Sequence, residues 1–360
     1  MTAASEIKSS LGLFSKYCSK KIVYPNPRIN PKSFLKCLIQ LVKTNEYDCI
    51  IPSHTYTIFL LNKYKDYFTK YTKLPPPEYS VFCNAYDKIK LIKIARKSGI
   101  NCPNTYFSDD LDEIVSIISK YPVVVKASRR HGVGIAICKN KSDLKKNYIE
   151  MSSKFGRCFV QEYIPNGGEY GVYTIFNFNS EPIALTVHKR IRTLYSYGGV
   201  STFRETLKNE KLVKIAFKLL KKIKWSGAAM VEFRIDNRNK LPKLIEINPR
   251  FWGSLQLSIL AGIDFPYTLY KLILNKDIEP KLNFKEGVKC RWAIGDICGF
   301  FNSQNKLNFF IDFLKPNINY DILSLRDPAP FFNSVISQLK NSGDTEQRDE
   351  NPIIRKSELI

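Results

Sequence analysis

Two short stretches, VEFRID (Val231–Asp236) and LIEINPRFWGS (Leu244–Ser254), decide how this chain is read. In the first, Val231, Phe233 and Ile235 share one face and Glu232, Arg234 and Asp236 the other, the period-two alternation of a half-buried strand. In the second, Ile245 and Ile247 face one side and Glu246 and Asn248 the other. Pro249 then breaks the strand ahead of Arg250, Trp252 and Gly253. The residues around Asn237–Lys240 suit a hairpin turn. Symmetric pairing about Asn239 sets Glu232 opposite Glu246. Opposed carboxylates repel unless a cation lies between them. Hard oxygen donors so placed suit Mg²⁺, which takes carboxylates, water and phosphate oxygens. Asn248 adds a neutral oxygen, and Arg250 reaches the same phosphates in bidentate fashion. The alternation equally suits an amphipathic hairpin with a solvated charged face, so the reading depends on what precedes it.

Upstream, Lys126 ends an apolar strand, PVVVKAS, and the loop SRRHGVG follows, with Gly132 and Gly134 one residue apart. Glycines let backbone N–H groups approach phosphate oxygens, and Lys126 brings a point charge to the same place. No G-x-x-x-x-G-K-[ST] occurs, and the third glycine of a dinucleotide fingerprint is missing. An ordinary hairpin loop with exposed cations fits as well. Next comes FVQEYIPNGGEYGV, a strand that reaches Glu162-Tyr163-Ile164 and breaks at Pro165. Backbone groups at such a strand end can read an adenine edge, and Glu169 can accept from ribose hydroxyls. A plain turn between strands is the competing reading.

The totals exclude several classes. The 360 residues, 44% of them apolar, are enough for two or three compact units. No apolar run is long enough to span a bilayer, and MTAASEIKSSLGLFSKYCSKK lacks a secretory apolar region. The nine cysteines are scattered with no C-x-x-C pair, and the three histidines lie far apart. Reduced thiols in a cytoplasmic protein are expected, without zinc or disulfides. Lys+Arg number 56 against 33 Asp+Glu, a net charge of +23. The lysines of KLVKIAFKLLKKIK read as a solvated helix face rather than a nucleic-acid surface, so nucleic acid is not expected as a partner.

Along the chain, FLKCLIQLVKTNEYDCII reads as a helix then a strand, and PSHTYTIFLLNKYKDYF as a loop then a helix. LPPPEYS is a rigid connector. AYDKIKLIKIARKSGI is helical, with Gly99 as its C-cap. PVVVKAS and IAICKN are strands, and SDLKKNYIEMSSKF is a helix capped by Ser142. CFVQEYI, EYGVYTIFNFN and EPIALTVHKRIR are strands, and a long helix covers about Glu205 to Lys224.

The order of these signals resembles the ATP-grasp superfamily: strand-Lys, glycine loop, Q-E-Y-I…G-G-E, then V-E-F…I-E-I-N-P-R. The resemblance runs from about Asp87 to Gly262 and is nearest the carboxylate–amine ligases, relatives of the carbamoyl-phosphate synthetase large subunit and biotin carboxylase. The E-x-N-x-R block, fourteen residues after an acidic strand residue, is its most specific element. GGVSTFRET looks like the substrate-side loop of uncharacterised members, and RWAIGDICGFF…DILSLRDPAP like their C-terminal extension. The resemblance implies an α/β (α+β) ATP-grasp fold of two subdomains gripping ATP, after a small Rossmann-like domain. It implies that Lys88 and Lys126 hold phosphates and that Gly132 and Gly134 cover them. Glu162 and Ile164 would meet adenine, and Glu169 the ribose. Glu232, Glu246 and Asn248 would hold Mg²⁺ (or Mn²⁺), and Arg250 the transferring phosphoryl group. His188, Lys189, Arg190 and Arg192 would face the substrate carboxylate or the γ-phosphate.

The implied chemistry activates a carboxylate as an acyl phosphate for attack by an amine, releasing ADP and phosphate. The rivals are an ATP-dependent enzyme acting on bicarbonate and a non-catalytic grasp protein that binds nucleic acid or an acidic partner. The chain shows no biotin-carrier lysine motif, and the four site residues of the hairpin block are intact. Expected units are residues 1–85 before the grasp, 86–280 as the grasp (subdomains 86–160 and 161–280), 281–340 as an extension and 341–360 as a disordered tail. No convincing first strand opens the N-terminal unit. Small-molecule carboxylate and amine partners and a homodimer are expected.

Overall fold

The computed structural model describes residues 1–108, 110–129, 134–195, 198–301 and 318–341. Strands β1 (Thr2–Ser5) and β2 (Lys20–Val23) pair in parallel. Strands β3 (Thr105–Tyr106), β4 (Val123–Ala127), β5 (Ile135–Cys138) and β6 (Cys158–Glu162) form an antiparallel sheet of order β3-β6-β4-β5. Strands β7 (Asn166–Phe176), β8 (Pro182–Tyr195), β9 (Gly198–Thr206), β10 (Gly227–Asp236), β11 (Pro242–Asn248), β12 (Lys289–Arg291) and β13 (Asn319–Tyr320) form a seven-stranded sheet of order β11-β10-β7-β8-β9-β12-β13. The helices are α1 (Pro31–Thr44), α2 (Thr55–Lys63), α3 (Tyr79–Tyr86), α4 (Lys88–Lys97), α5 (Leu111–Ile117), α6 (Lys141–Phe155), α7 (Glu210–Lys222), α8 (Leu255–Leu260), α9 (Phe265–Ile273), α10 (Ala293–Phe301) and α11 (Ala329–Asn341).

Local chemistry sets the helix ends. The Asn30 side chain caps α1 by accepting from Ser33 N, with Pro31 at the first helical position. Asp87 caps α4 by accepting from Ile89 N and Lys90 N, and Gly99 follows that helix at φ 67°. Asn140, not Ser142, caps α6: its side chain accepts from Asp143 N, which leaves Ser142 inside the first turn. The segment around Glu205 is strand β9 rather than the start of the long helix, because GGVSTFRET pairs with β8 and the Asn209 side chain starts α7. The strand expected after α1 is reduced to an isolated bridge between Cys49 and Lys73. An opening strand absent from the sequence reading exists as β1, held by its parallel pairing to β2.

The large sheet is covered unequally. Leu212, Leu219, Leu220 and Ile223 of α7 and its end, with Trp225, pack on the face that carries Val172, Val187, Val231 and Leu244. Each such buried side chain contributes on the order of 1.5–3 kcal/mol. The lysines of α7 stay on the solvent side, the face their spacing predicts. On the opposite face Trp252, Phe265, Leu269 and Leu272 cover Tyr173, Ile175, Ala184 and Met230. The small sheet packs on α5 and α6, and α1, α2 and α3 enclose a separate aromatic core.

Candidate active site

The second face of the large sheet changes character along its strands. On β10, Ala228 and Met230 lie in the apolar cluster and Glu232 and Arg234 continue beyond it. On β7 the succession runs Ile175, Tyr173, Gly171, Glu169, and on β8 it runs Ala184, Thr186, His188, Arg190. The period-two rule keeps these residues on one face, so an apolar floor becomes a charged one. Gly171 permits the change. A Cβ there would sit 2.6 Å from the Tyr173 ring, which folds over the glycine.

Glu232 pairs directly with Glu246 across β10 and β11. The register reaches that juxtaposition through a β-bulge. Phe233 pairs with Leu244, so Ile245 is an extra residue, and it is Leu244 rather than Ile245 that shares the core with Ile247. Asn248 is buried, and its Nδ2 donates to Glu232 Oε1 at 2.8 Å and to Glu246 Oε1 at 3.0 Å. Lys88, at the start of α4, lies with its Nζ 3.2 Å from Glu246 Oε2. Burial pushes the Glu232 carboxyl above the usual carboxylate range. Arg190 opposes that rise, while Glu246 and Glu169 add to it.

Arg190 bridges the carboxylates, donating to Glu232 Oε2 at 2.7 Å, to Glu169 Oε2 at 3.2 Å and to Gly199 O at 3.3 Å. Burial works against its charge, but Glu232, Tyr173 and Glu169 outweigh that and hold the guanidinium above its ordinary pKa. Glu169 is also paired with Arg234, whose Nη1 lies 3.4 Å from Ile164 O. Lys126 Nζ donates to Gln161 Oε1 at 2.7 Å, and Gln161 in turn donates to Thr105 Oγ1 at 3.0 Å. Burial lowers the Lys126 pKa to about 8. Glu246 draws it upward, and the cations of Lys88 and Arg234 press it down. Arg250 donates to Thr55 Oγ1 at 3.1 Å, Phe251 O at 2.7 Å and Asn248 Oδ1 at 3.3 Å. Burial lowers its pKa against the pull of Glu232 and Glu246.

Other expected residues stand elsewhere. The Glu162 carboxylate accepts from Asn104 N at 3.1 Å and pairs with Arg238, so its side chain is engaged on the hairpin turn. Gly134 has φ 76°, and its carbonyl accepts from Ala127 N at 3.0 Å. Gly132 lies outside the described residues, as does the tail beyond residue 341. Lys189 is exposed, one residue out of phase with the charged floor. His188 is buried, its Nδ1 3.1 Å from Ser254 Oγ and its Nε2 3.2 Å from Thr186 Oγ1 and 3.1 Å from Ser258 Oγ. Burial holds its pKa well below the ordinary imidazole value, with Arg204 adding to the effect. Arg192 pairs with Asp296, 3.1 Å from each oxygen.

Sequence reasoning missed a buried group behind this floor. Asp296 of α10 is fully buried between Arg192 and Arg291 and accepts from Thr202 Oγ1 at 2.8 Å. Arg204 pairs with Asp321. The available signal was the alternation of STFRET, which sets Thr202, Arg204 and Thr206 on one face of β9. Thr55 was missed too, since nothing near Arg250 in sequence points to α2.

All nine cysteines are free thiols. Among the described residues no three His, Cys, Asp or Glu side chains converge as a metal site. A divalent ion here would rest on Glu232 and Glu246, whose carboxylates fit it, and the Asn248 oxygen, which accepts from Arg250, would join once its amide turns over. Both carboxylates already turn toward a shared positive partner, the Asn248 amide N–H. Mg²⁺ needs only one or two carboxylates when phosphate oxygens complete its shell.

Residues 154–295 match the family described as ATP-grasp in the biosynthetic pathway with Ter operon. No curated protein matches. Among solved structures, the chain is similar to the biotin carboxylase β-γ-ATP complex of Campylobacter jejuni, with TM-score 0.67 and 20% identity over 80% of this chain and 68% of that one. It is also similar to the biotin carboxylase domain of Hydrogenobacter thermophilus 2-oxoglutarate carboxylase, in complex with MgADP, ADP and bicarbonate, with TM-score 0.67 and 18% identity over 80% and 68%. A third is the L-amino acid ligase of Bacillus licheniformis, with TM-score 0.55 and 17% identity over 74% and 64%. The chain has the ATP-grasp fold. No described helix is long and apolar enough to cross a membrane.

Proposed function

We propose that the protein is an ATP-dependent ligase that phosphorylates a carboxylate and passes the acyl group to an amine. The observation that carries this reading is the Glu232–Glu246 pair, opposed across β10 and β11 with Lys88 at 3.2 Å and Asn248 between the carboxylates. Glu232, Glu246 and Asn248 would hold Mg²⁺ (or Mn²⁺), which when bound neutralises charge on the phosphates.

The remaining work falls to this chain's own groups. Lys88 and Lys126 bind phosphate oxygens as point charges. Ile164, two residues beyond the end of β6, and Glu169 hold the nucleoside in this reading. Arg250 lies against Asn248 and presents a guanidinium to the phosphoryl group in transfer, where developing charge is stabilised without reorganisation. Arg190, shared by Glu232 and Glu169, orients both carboxylates and borders the acceptor side of the floor. The carboxylate attacks the γ-phosphorus, ADP leaves, and the amine then displaces phosphate from the acyl phosphate. Water must be kept out because acyl phosphates hydrolyse. His188, locked among three hydroxyls, positions α8 in this reading.

The test is phosphate release from MgATP across a panel of amino acids and short peptides, with Glu246→Gln as control. Release that needs one carboxylate and one amine, and is lost in the control, supports the ligase. Release with bicarbonate and no amine would replace it by the carboxylase-like reaction. Failure to bind MgATP would end both.

A further inference from the structure

A cavity of about 380 Å³ opens between α2, α3 and the first turn of α4, within the size range of small-molecule sites. One wall is aromatic: the Phe59 ring lies 5.7 Å from Tyr79 and 5.8 Å from Tyr86, centroid to centroid. The other wall carries Lys90, Arg129 and Asp87. Asp87 is already saturated. Its Oδ1 accepts from Ile89 N, Lys90 N and Ser128 Oγ, and its Oδ2 accepts from Arg129 Nε at 3.1 Å. Arg129 therefore spends only Nε on that bond, and no described acceptor takes its two terminal nitrogens. No described carboxylate pairs with the Lys90 ammonium. Two cations against one carboxylate leave the wall with a net positive charge. Burial and Cys83 raise the Tyr79 phenol to about 12, so the opposite wall stays uncharged. Lys88, one residue from Asp87, sends its ammonium to Glu246 and does not line this cavity.

We propose that this cavity, whose lining includes none of the residues assigned to the nucleotide, is a second ligand site for a planar aromatic acid. Its ring lies on Phe59, Tyr79 and Tyr86, and its carboxylate or phosphate meets the Arg129 fork and Lys90. Flat rings gain from offset or edge contact with such a wall, and a guanidinium fork matches an oxyanion in two-point fashion. Neither wall alone selects this class. The aromatic wall would take a neutral ring, and the cations would take any anion.

Calorimetry on the full chain, with saturating MgADP present, tests the assignment. The probes are benzoate, phenyl phosphate, their counterparts without an aromatic ring (cyclohexanecarboxylate and inorganic phosphate), and neutral benzyl alcohol. At least one aromatic acid is expected to bind with a Kd of about 1 mM or tighter, about tenfold better than its non-aromatic counterpart and than benzyl alcohol. Which of the two binds identifies the oxyanion. Tyr79→Ala and Lys90→Gln should each weaken that binding about fivefold while MgADP affinity stays within about twofold. The proposal falls if no aromatic acid binds, if the non-aromatic acids bind equally, or if the two variants bind as the parent does. MgADP binding without aromatic-acid binding removes this site and leaves the nucleotide reading. Aromatic-acid binding without MgADP binding keeps the site and removes that reading.

Discussion

Glu232 on β10 and Glu246 on β11 face each other in register, and the Asn248 amide donates to both, at 2.8 and 3.0 Å. A side-chain donor thus occupies the position between two carboxylates that a divalent cation would take. Replacing Glu246 by Gln removes half of that charge and the partner of Lys88. Phosphate release from MgATP should fall by more than about a hundredfold, the scale expected when a charge-stabilising group is lost. The fold should survive with a loss of about 3 kcal/mol, since Gln keeps the shape of Glu246 but leaves the buried Lys88 ammonium against a neutral group. Parent-level turnover in this variant would sink the metal assignment.

Asn248 invites the opposite change. Asn248→Asp removes the bridging donor and adds a third negative group, leaving buried acceptors unsatisfied and mutually repelling. In chelator the variant should lose about 2–4 kcal/mol of stability. Mg²⁺ alone should restore more of that loss than it adds to the parent. Urea unfolding with and without Mg²⁺ measures both. Equal Mg²⁺ responses would separate Asn248 from the cation.

Lys126 predicts a pH limb. Burial leaves its pKa at about 8 in the free protein. Phosphate binding favours the ammonium, so nucleotide affinity should be constant below that value and weaken above it, by up to about tenfold per pH unit. Dissociation constants for MgADP between about pH 6.5 and 9.5 test this, with Lys126→Arg expected to flatten the curve because arginine stays charged. A flat parent curve would place the phosphates elsewhere.

The floor of this site was legible because alternation fixes faces. Glu232, Glu246, Asn248 and Arg250 could be brought together from spacing alone. The bulge at Ile245 was not legible, because a one-residue slip leaves no mark in so short a strand. The partners of the strand EPIALTVHKRIR were also hidden. Its pattern sets His188, Arg190 and Arg192 on one face, yet the neighbours differ: hydroxyls around His188, carboxylates beside Arg190, Asp296 beside Arg192. Those neighbours come from β7, β10, α8 and α10, far away in sequence. Helix boundaries were missed where a better cap stood nearby, as with Asn140 ahead of Ser142.

His188 supplies a prediction about stability. Its folded pKa lies well below the ordinary value, chiefly through burial. The unfolded chain therefore binds a proton near pH 6.5 that the folded chain does not. Stability is fully present above that pH and is lost as pH falls below it, by up to about 1.4 kcal/mol per unit. Between about pH 5 and 6.5, His188→Gln should remove this slope from urea-unfolding curves. If the slope persists unchanged, the imidazole titrates in the folded protein.

Arg250 is tied to α2 by its Nε bond to Thr55 Oγ1 at 3.1 Å, which brings a residue from early in the chain to the site. Thr55 is buried, so a water cannot readily replace the hydroxyl. Thr55→Val keeps the shape and removes the acceptor. A hydrogen bond to a charged group is worth about 1.5–3 kcal/mol when its loss leaves the charge unsatisfied. Part of that appears as misplacement of the guanidinium during phosphoryl transfer, so kcat should fall about three- to tenfold. The KM for ATP should change little, because Arg250 is assigned to the transferring group rather than to the bound nucleotide. Thr55→Ser restores the acceptor and should restore kcat. If Thr55→Val raises KM and spares kcat, Arg250 binds ground-state nucleotide instead. If neither constant moves, the bond only fastens α2 to the loop after β11.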